Sequence, residues 1–192
     1  GAIVYGQIFC GMGSNFTIAG HGVLCGSIYD RYADTIVPVS ITNAHDFTIR
    51  DITILDPSAW TVNLYKCKNA VIDNVKIIGA RSNSDGITMQ NVENVLVQNC
   101  FVRSWDDNLV VKGYNGNVDG VTCRNCILWT DLAQSCEIGY ETRAQFIRNI
   151  TFEDITVLHS FHKPVISIHN SDSAAVSQVA FRNITVEDAR MG

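Results

Sequence analysis

Three aspartates form the strongest candidate for chemistry in this 192-residue chain. Asp85 precedes one alternating apolar stretch, and the adjacent Asp106 and Asp107 precede a similar one. Aligning the two stretches on their apolar residues places Asp85 over Asp107, with Asp106 beside it. Carboxylates this close raise the pKa of at least one member, which keeps a proton available for general acid catalysis. Aspartate is also frequent in turns, so purely structural turns remain the alternative.

The elements that must position these aspartates form an internal repeat of roughly 25 residues. Its copies superimpose without gaps and start at Phe47, Ala70, Val95, Val121, Ile150 and Val179. Apolar residues occupy positions one, three, six and eight, and Asp or Asn occupies position five. Because the alternation changes phase between positions three and six, a flat strand cannot accommodate it. The pattern predicts a corner, with the Asp or Asn in the left-handed conformation.

A second alternating stretch follows in most copies, for example at 85–90 and 107–112. Three short strands per repeat predict an all-β parallel β-helix, a solenoid of about seven coils. Neighbouring coils then lie about 4.8 Å apart, and equivalent residues stack on one another. We expect residues 1–192 to form a single domain. Since neither end carries the polar cap that a solenoid needs, we expect a fragment that lacks one or both caps, with unusual caps as the alternative.

Composition excludes several other classes of protein. Apolar residues make up 46% of the chain and charged residues 17%, which is typical of a folded protein with a core. The net charge of −5 and the scattered basic residues argue against a nucleic-acid partner. No apolar run reaches the roughly 18 residues of a membrane span. The seven cysteines are interpreted as small buried residues, with Cys100 and Cys126 stacked inward, and no metal or cofactor is expected.

Two motifs resemble those of a known family. Ser82-Asn-Ser-Asp-Gly-Ile87 resembles the Asn-Thr-Asp-Gly-Ile motif of glycoside hydrolase family 28, the polygalacturonase family. Ser104-Trp-Asp-Asp-Asn-Leu-Val-Val-Lys112 resembles its Gly-Asp-Asp-x-Ile-x-Ile-Lys motif. The resemblance implies a right-handed parallel β-helix that acts on a carbohydrate. We expect a monomer with a secreted or periplasmic location.

Two positions depart from the family pattern. Gln134 stands where the family carries Gly-His-Gly, and Ile166–His169 replaces its Arg-Ile-Lys signature, which binds galacturonate carboxylates. The stretch 127–142 is more similar to the related family 49, which contains dextranase and isopullulanase and acts on neutral glucans. We therefore expect a neutral or weakly charged glycan in preference to polygalacturonate.

Five further residues are candidates for substrate binding. Trp105, beside the aspartate pair, could stack on a sugar ring or be a packed turn residue. Lys112 could bind sugar hydroxyls, pair with Asp85, or form a simple ion pair. Gln134, Glu137 and His169 complete the candidate set, since they stack on or face outward beside the aspartates.

The motif match implies the roles of the aspartates in an inverting glycosidase. Asp106 would be the general acid, kept protonated by its neighbours, while Asp85 and Asp107 remain ionised and activate water. Two other functions remain open, because a fold does not decide a function. One is a non-catalytic β-helix, such as an adhesin or a tailspike shaft that binds carbohydrate, which needs no stacked aspartates. The other is a polysaccharide lyase, which needs a basic residue beside a uronate carboxylate.

Overall fold

The computed structural model describes residues 1–32 and 36–190. In this part the chain forms nineteen β-strands and no helix. Residues 33–35 and 191–192 of the expected domain lie outside the described residues. No helix in the described part is long and apolar enough to cross a membrane.

The strands wind into a parallel solenoid with three faces, which confirms the predicted all-β architecture. One face, here called the site face, is a seven-stranded sheet with one strand from each coil: β2 (Ile8–Cys10), β5 (Val39–Thr42), β8 (Val62–Tyr65), β11 (Ile87–Gln90), β14 (Leu109–Tyr114), β16 (Cys136–Arg143) and β18 (Ile166–Asn170). The second face contains β3 (Gly13–Ala19), β6 (Ala44–Arg50), β9 (Lys68–Asp73) and β12 (Glu93–Gln98). The third contains β1 (Ile3–Tyr5), β4 (Val23–Cys25), β7 (Thr53–Leu55), β10 (Lys76–Ile78) and β13 (Phe101–Ser104). Three long strands turn the corner between these two faces: β15 (Val118–Thr130), β17 (Phe146–Ser160) and β19 (Ala175–Val186).

The corner between the second and third faces is the one that the sequence repeat predicts. Its position-five residues have φ between 49° and 64°, in the left-handed region: Asp51, Asn74, Asn99, Asn125, Asp154 and Asn183. Side chains at this corner are hydrogen-bonded between adjacent coils. The Asn125 amide donates to Oδ1 of Asn99 at 2.6 Å, and the Asn99 amide donates to Oδ1 of Asp73 at 2.7 Å.

The corner between the site face and the second face is built in the same way, which the sequence repeat did not predict. Asn69, Asn94 and Asn149 have positive φ where the site face meets the second face, as do Asn91 and Asn115. Short polar side chains tolerate this backbone better than β-branched ones do. The high asparagine content of the chain therefore follows from its many corners.

The core consists of inward-facing residues stacked in register from coil to coil. On the site face, Val62 pairs with Ile87, and Ile87 with Leu109, and all three are fully buried. Cys100 and Cys126 stack in the same way and are buried, as the sequence predicts. All the cysteines of the described part are free thiols. This regular interior fixes which residues of neighbouring coils lie side by side on the outside.

Candidate active site

The aspartates lie in the loops that lead from the third face into the site face. Ile87 of β11 pairs with Leu109 of β14, so Asp85 and Asp107 occupy equivalent positions in adjacent coils. The Gly86 amide donates to the Asp107 carbonyl oxygen at 2.7 Å and fixes this arrangement. A Cβ on Gly86 would overlap the Asn108 carbonyl oxygen, so only glycine permits this approach. The stacking predicted from the sequence is confirmed.

The turn that carries Asp106 is held from both sides by buried hydroxyls. Ser104 Oγ donates to the Asp106 carbonyl oxygen at 2.8 Å, and Thr130 Oγ1 of the next coil donates to the same oxygen at 2.9 Å. Asn108, which is fully buried, donates to Ser104 Oγ at 2.6 Å. The backbone of the turn is therefore fixed, which is the condition for placing a carboxyl group accurately.

Two backbone amides orient the carboxylates of the aspartate pair. The amide of Asp107 donates to Oδ1 of Asp106 at 3.1 Å, and the amide of Gln134 donates to Oδ1 of Asp107 at 2.8 Å. Gln134 thus occupies the position above Asp107 that the sequence predicts, and it makes this contact through its main chain. We call Asp85, Asp106 and Asp107 the triad.

Burial raises the pKa of every member of the triad. The pKa of Asp85 rises to about 8, mainly because its carboxyl group is desolvated, with smaller contributions from the charges of Asp106 and Asp107. Desolvation likewise raises the pKa of Asp107 to about 6, opposed by its bond to the Gln134 amide. The pKa of Asp106 is also raised by burial.

This order of protonation differs from the sequence expectation. The expectation was that Asp106 keeps its proton because of neighbouring charges, while Asp85 and Asp107 stay ionised. In the structure, desolvation is the larger cause, and Asp85 is the most deeply buried of the three, with 3% of its surface exposed. Because the carboxyl groups interact, the proton belongs to the triad as a unit near neutral pH.

Lys112 is the buried cation of the site. It lies on β14, outward-facing, and its charge opposes the rise in pKa at Asp85, Asp106 and Asp107. Its ammonium group lies 3.1 Å from Oε2 of Glu141 and 4.7 Å above the centre of the Trp60 ring. Of the possibilities raised by the sequence, the ion pair is present, but its partner is Glu141 and not Asp85.

Glu137 contributes a further carboxyl group beside the triad. It follows Gln134 in the same coil and faces outward next to Val110, yet only 1% of it is exposed. Burial raises its pKa to about 7, and the charge of Asp107 adds to the rise. Among the described residues, neither of its oxygens completes a hydrogen bond, although the Ser167 hydroxyl is near enough to lower the pKa in part.

Trp105 and His169 lie at the edges of this group. Trp105 is half-buried in the turn before Asp106, and its amide donates to Ser84 Oγ at 3.3 Å. His169 is exposed on β18, two coils beyond β14, and packs edge-on against Tyr140 with ring centres 4.7 Å apart. The structure therefore brings Asp85, Asp106, Asp107, Lys112, Gln134 and Glu137 together, and places Trp105 and His169 beside them.

Two neighbours of the site, Trp60 and Tyr140, were not expected from the sequence, and Glu141 was expected only as an outward-facing residue beside the carboxylates. Trp60 lies under the amine of Lys112, Glu141 pairs with it, and Tyr140 is 57% exposed next to His169. The sequence shows Glu141 on the outward side of the strand, but it does not reveal the bulge in β16 that places Glu141 opposite Lys112. Within the described residues, no group of three or more His, Cys, Asp or Glu is arranged to hold a metal ion.

The fold and the site together define a parallel β-helix with a buried cluster of carboxyl groups on one face. Comparison with known families agrees with this class. The profile of Glycosyl hydrolases family 28 matches residues 34–192, and the chain therefore belongs to that family.

Individual relatives are distant. The chain is 27% identical to a putative rhamnogalacturonase D of Aspergillus niger, over 86% of this chain and 35% of the relative. It is 26% identical to an exopolygalacturonase of Zea mays, over 91% of this chain and 46% of that protein. It is 28% identical to an isopullulanase of Aspergillus niger, over 83% and 31%. The chain thus spans about a third to a half of the length of these relatives, which include the type of enzyme suggested by the resemblance to family 49.

Proposed function

We propose that this protein hydrolyses O-glycosidic bonds of a polysaccharide or oligosaccharide with inversion at the anomeric carbon. The observation that carries the proposal is the stacking of Asp85 on Asp107 with Asp106 beside them, in a turn held by Ser104 and Thr130. A non-catalytic shaft has no need for three desolvated carboxyl groups in one place, because their burial costs stability.

Hydrolysis requires one carboxyl group with a proton and one without. A glycosidic oxygen leaves only if it is protonated in the transition state, and we assign Asp106 to that step. Asp107 and Asp85 would orient and deprotonate a water molecule on the other side of the sugar. Near neutral pH the triad shares one proton, which rests mainly on Asp85 because its pKa is about 8 and that of Asp107 about 6. The proposed division requires this shared proton to pass to Asp106 when the leaving oxygen is protonated. Inversion requires about 6.5–9.5 Å between the acid and the base.

The charges around the site favour an uncharged sugar at the bond that is cleaved. Asp85, Asp106, Asp107, Glu137 and Glu141 surround Lys112, and Lys112 is already paired with Glu141. A uronate placed there adds a further negative charge in a buried setting, which is unfavourable. The rhamnogalacturonase and exopolygalacturonase names among the relatives support a pectin-type polysaccharide, in which neutral residues also occur. Such a substrate is extracellular, which supports the expected secreted or periplasmic location.

A substrate panel tests this proposal. The protein is incubated with polygalacturonate, rhamnogalacturonan, galactan, dextran and pullulan, and products are analysed by mass spectrometry and by ultraviolet absorbance. We expect new reducing ends from a substrate with a neutral sugar at the cleaved bond. Equal or faster cleavage of polygalacturonate would overturn the substrate preference. An unsaturated product that absorbs in the ultraviolet would identify a lyase, and binding without cleavage would support a carbohydrate-binding shaft.

A further inference from the structure

Strand β16 carries a bulge on the site face. Val111 of β14 pairs with Ile138 of β16, but Gly113 pairs with Thr142, so Lys112 stands opposite three residues, Gly139 to Glu141. A bulge interrupts the ladder and is favoured where it re-aims a side chain beside a functional site. Here it turns Glu141 back toward β14.

The bulge places Glu141 opposite Lys112, and Glu141 is the carboxylate that pairs with the lysine. Among the described residues, the carboxylate within 4.0 Å of the Lys112 ammonium group is that of Glu141, at 3.1 Å. The Trp60 ring below the amine restricts it further, because a cation is attracted to the face of an aromatic ring. The lysine side chain is only 8% exposed, so water does little to screen its charge.

Several charged groups lie around this amine. Glu137 and Glu141 approach from β16, and Asp85 from the loop before β11. Asp106 and Asp107 approach from the loop before β14. A second cation, Lys163 in the loop before β18, lowers the pKa of Asp106 in part. The side chain of β11 opposite Lys112 is the uncharged Gln90. Without Glu141, the amine would be free to pair with a carboxylate of the triad.

We propose that Glu141 is a positioning residue that holds the Lys112 amine away from the triad, so that the triad keeps the proton needed for acid catalysis. The inference rests on the proposed function, because a proton on the triad is needed only if the triad catalyses hydrolysis. A lysine in direct contact lowers the pKa of a carboxyl group by roughly 1–3 units. Such contact would lower the fraction of the triad that holds a proton near neutral pH, and with it the fraction of the protein that can protonate the glycosidic oxygen.

The proposal predicts opposite effects for the two members of the ion pair. In Glu141→Gln, the amine is released toward the triad and a nearby negative charge is lost, and both changes lower the pKa of Asp85 and Asp107. In Lys112→Met, the positive charge is lost, and the same two pKa values rise. A merely structural role for the pair would weaken the fold in both variants without shifting the titrations in opposite directions.

The matched control is Glu93→Gln. Glu93 of β12 pairs with Lys68 of β9 at 2.7 Å, also between adjacent coils, but on the second face and largely exposed. The experiment measures the ¹³C carboxyl resonances of Asp85 and Asp107 against pH in the wild type and the three variants. The pH dependence of kcat is measured alongside on a substrate from the panel.

We expect both titrations to move down by about one pH unit in Glu141→Gln, up in Lys112→Met, and not at all in Glu93→Gln. The kcat profile should move in the same directions, and Glu141→Asp should restore part of the wild-type profile. Unchanged titrations in Glu141→Gln, or shifts of the same sign in both site variants, would overturn the inference. Because the NMR titration needs no substrate, shifted titrations in a protein that cleaves no glycan would contradict the proposed function and leave the tuning role intact.

Discussion

Asp85 and Asp107 occupy the same position in adjacent coils, joined by a hydrogen bond from the Gly86 amide to the Asp107 carbonyl oxygen at 2.7 Å. Two carboxyl groups that are distant in the sequence thus become neighbours through the register of the sheet alone. The solenoid needs no special loop to assemble its acidic site. It needs only an aspartate at the same place in two successive repeats.

The first prediction concerns the triad. Asp85→Asn, Asp106→Asn and Asp107→Asn should each lower kcat by at least about 10²-fold, because each removes a proton donor or acceptor while keeping the side-chain shape. Activity on the cleaved substrate and the circular dichroism spectrum are measured together. Asp154→Asn, at an exposed corner remote from the site face, is the control and should retain full activity. Near-normal activity in Asp106→Asn would show that another group is the acid.

The stereochemistry of the product is the second prediction. If water attacks from the side opposite the leaving group, the first-formed product has the inverted anomeric configuration. Proton NMR during the first minutes of the reaction, before mutarotation, distinguishes the two anomers. A retained configuration would refute the assignment of Asp85 and Asp107 to water activation.

The pH dependence of kcat/KM should be bell-shaped. Asp107 must be ionised to act as a base, and burial raises its pKa to about 6, so activity should fall as the pH drops through 6. The triad must also keep one proton, and it loses the last one near the pKa of Asp85, about 8, so activity should fall again above that pH. Stopped assays from pH 4 to 10 test both limbs. A profile that is flat between pH 7 and 9.5 would contradict the upper limb.

The extent to which sequence anticipates this structure depends on the repeat. The phase change at position five predicts the left-handed corner at Asn99. The apolar alignment predicts that Asp85 stacks on Asp107, because residues at the same place in successive repeats lie next to each other in adjacent coils. The sequence placed Lys112 and Glu141 on the outward side but did not identify them as partners, since the bulge opposite Lys112 shifts the register between them. The order of the pKa values was also missed, because desolvation depends on the packing around each carboxyl group, as at Asp85.

The raised pKa of Asp85 should make the free energy of unfolding depend on pH. Its pKa is about 8 in the folded protein against an ordinary 3.8, so between these values unfolding releases a proton. The free energy of unfolding therefore falls as the pH rises from about 4 to 8. Asp85→Asn removes this contribution and should be more stable than the wild type at pH 8, but equally stable near pH 3.5. Urea denaturation at both values tests this, with Asp154→Asn as the control. Equal midpoints for wild type and Asp85→Asn at pH 8 would show that the carboxyl group is solvated in solution.

The last prediction concerns Gly86, which sets the distance between Asp85 and Asp107. A Cβ at this position would overlap the Asn108 carbonyl oxygen and a Val102 methyl group, and the carbonyl cannot move without breaking the ladder between β11 and β14. Gly86→Ala should therefore push the two coils apart at the triad. We expect kcat to fall at least about tenfold, since small displacements of catalytic groups are costly, and stability to fall by about 1–3 kcal/mol from overpacking. Gly6→Ala is the matched control, because no atom lies within 4 Å of the added Cβ, and it should resemble the wild type in both measurements. Wild-type kcat in a folded Gly86→Ala variant would mean that catalysis does not depend on the close approach of these two coils.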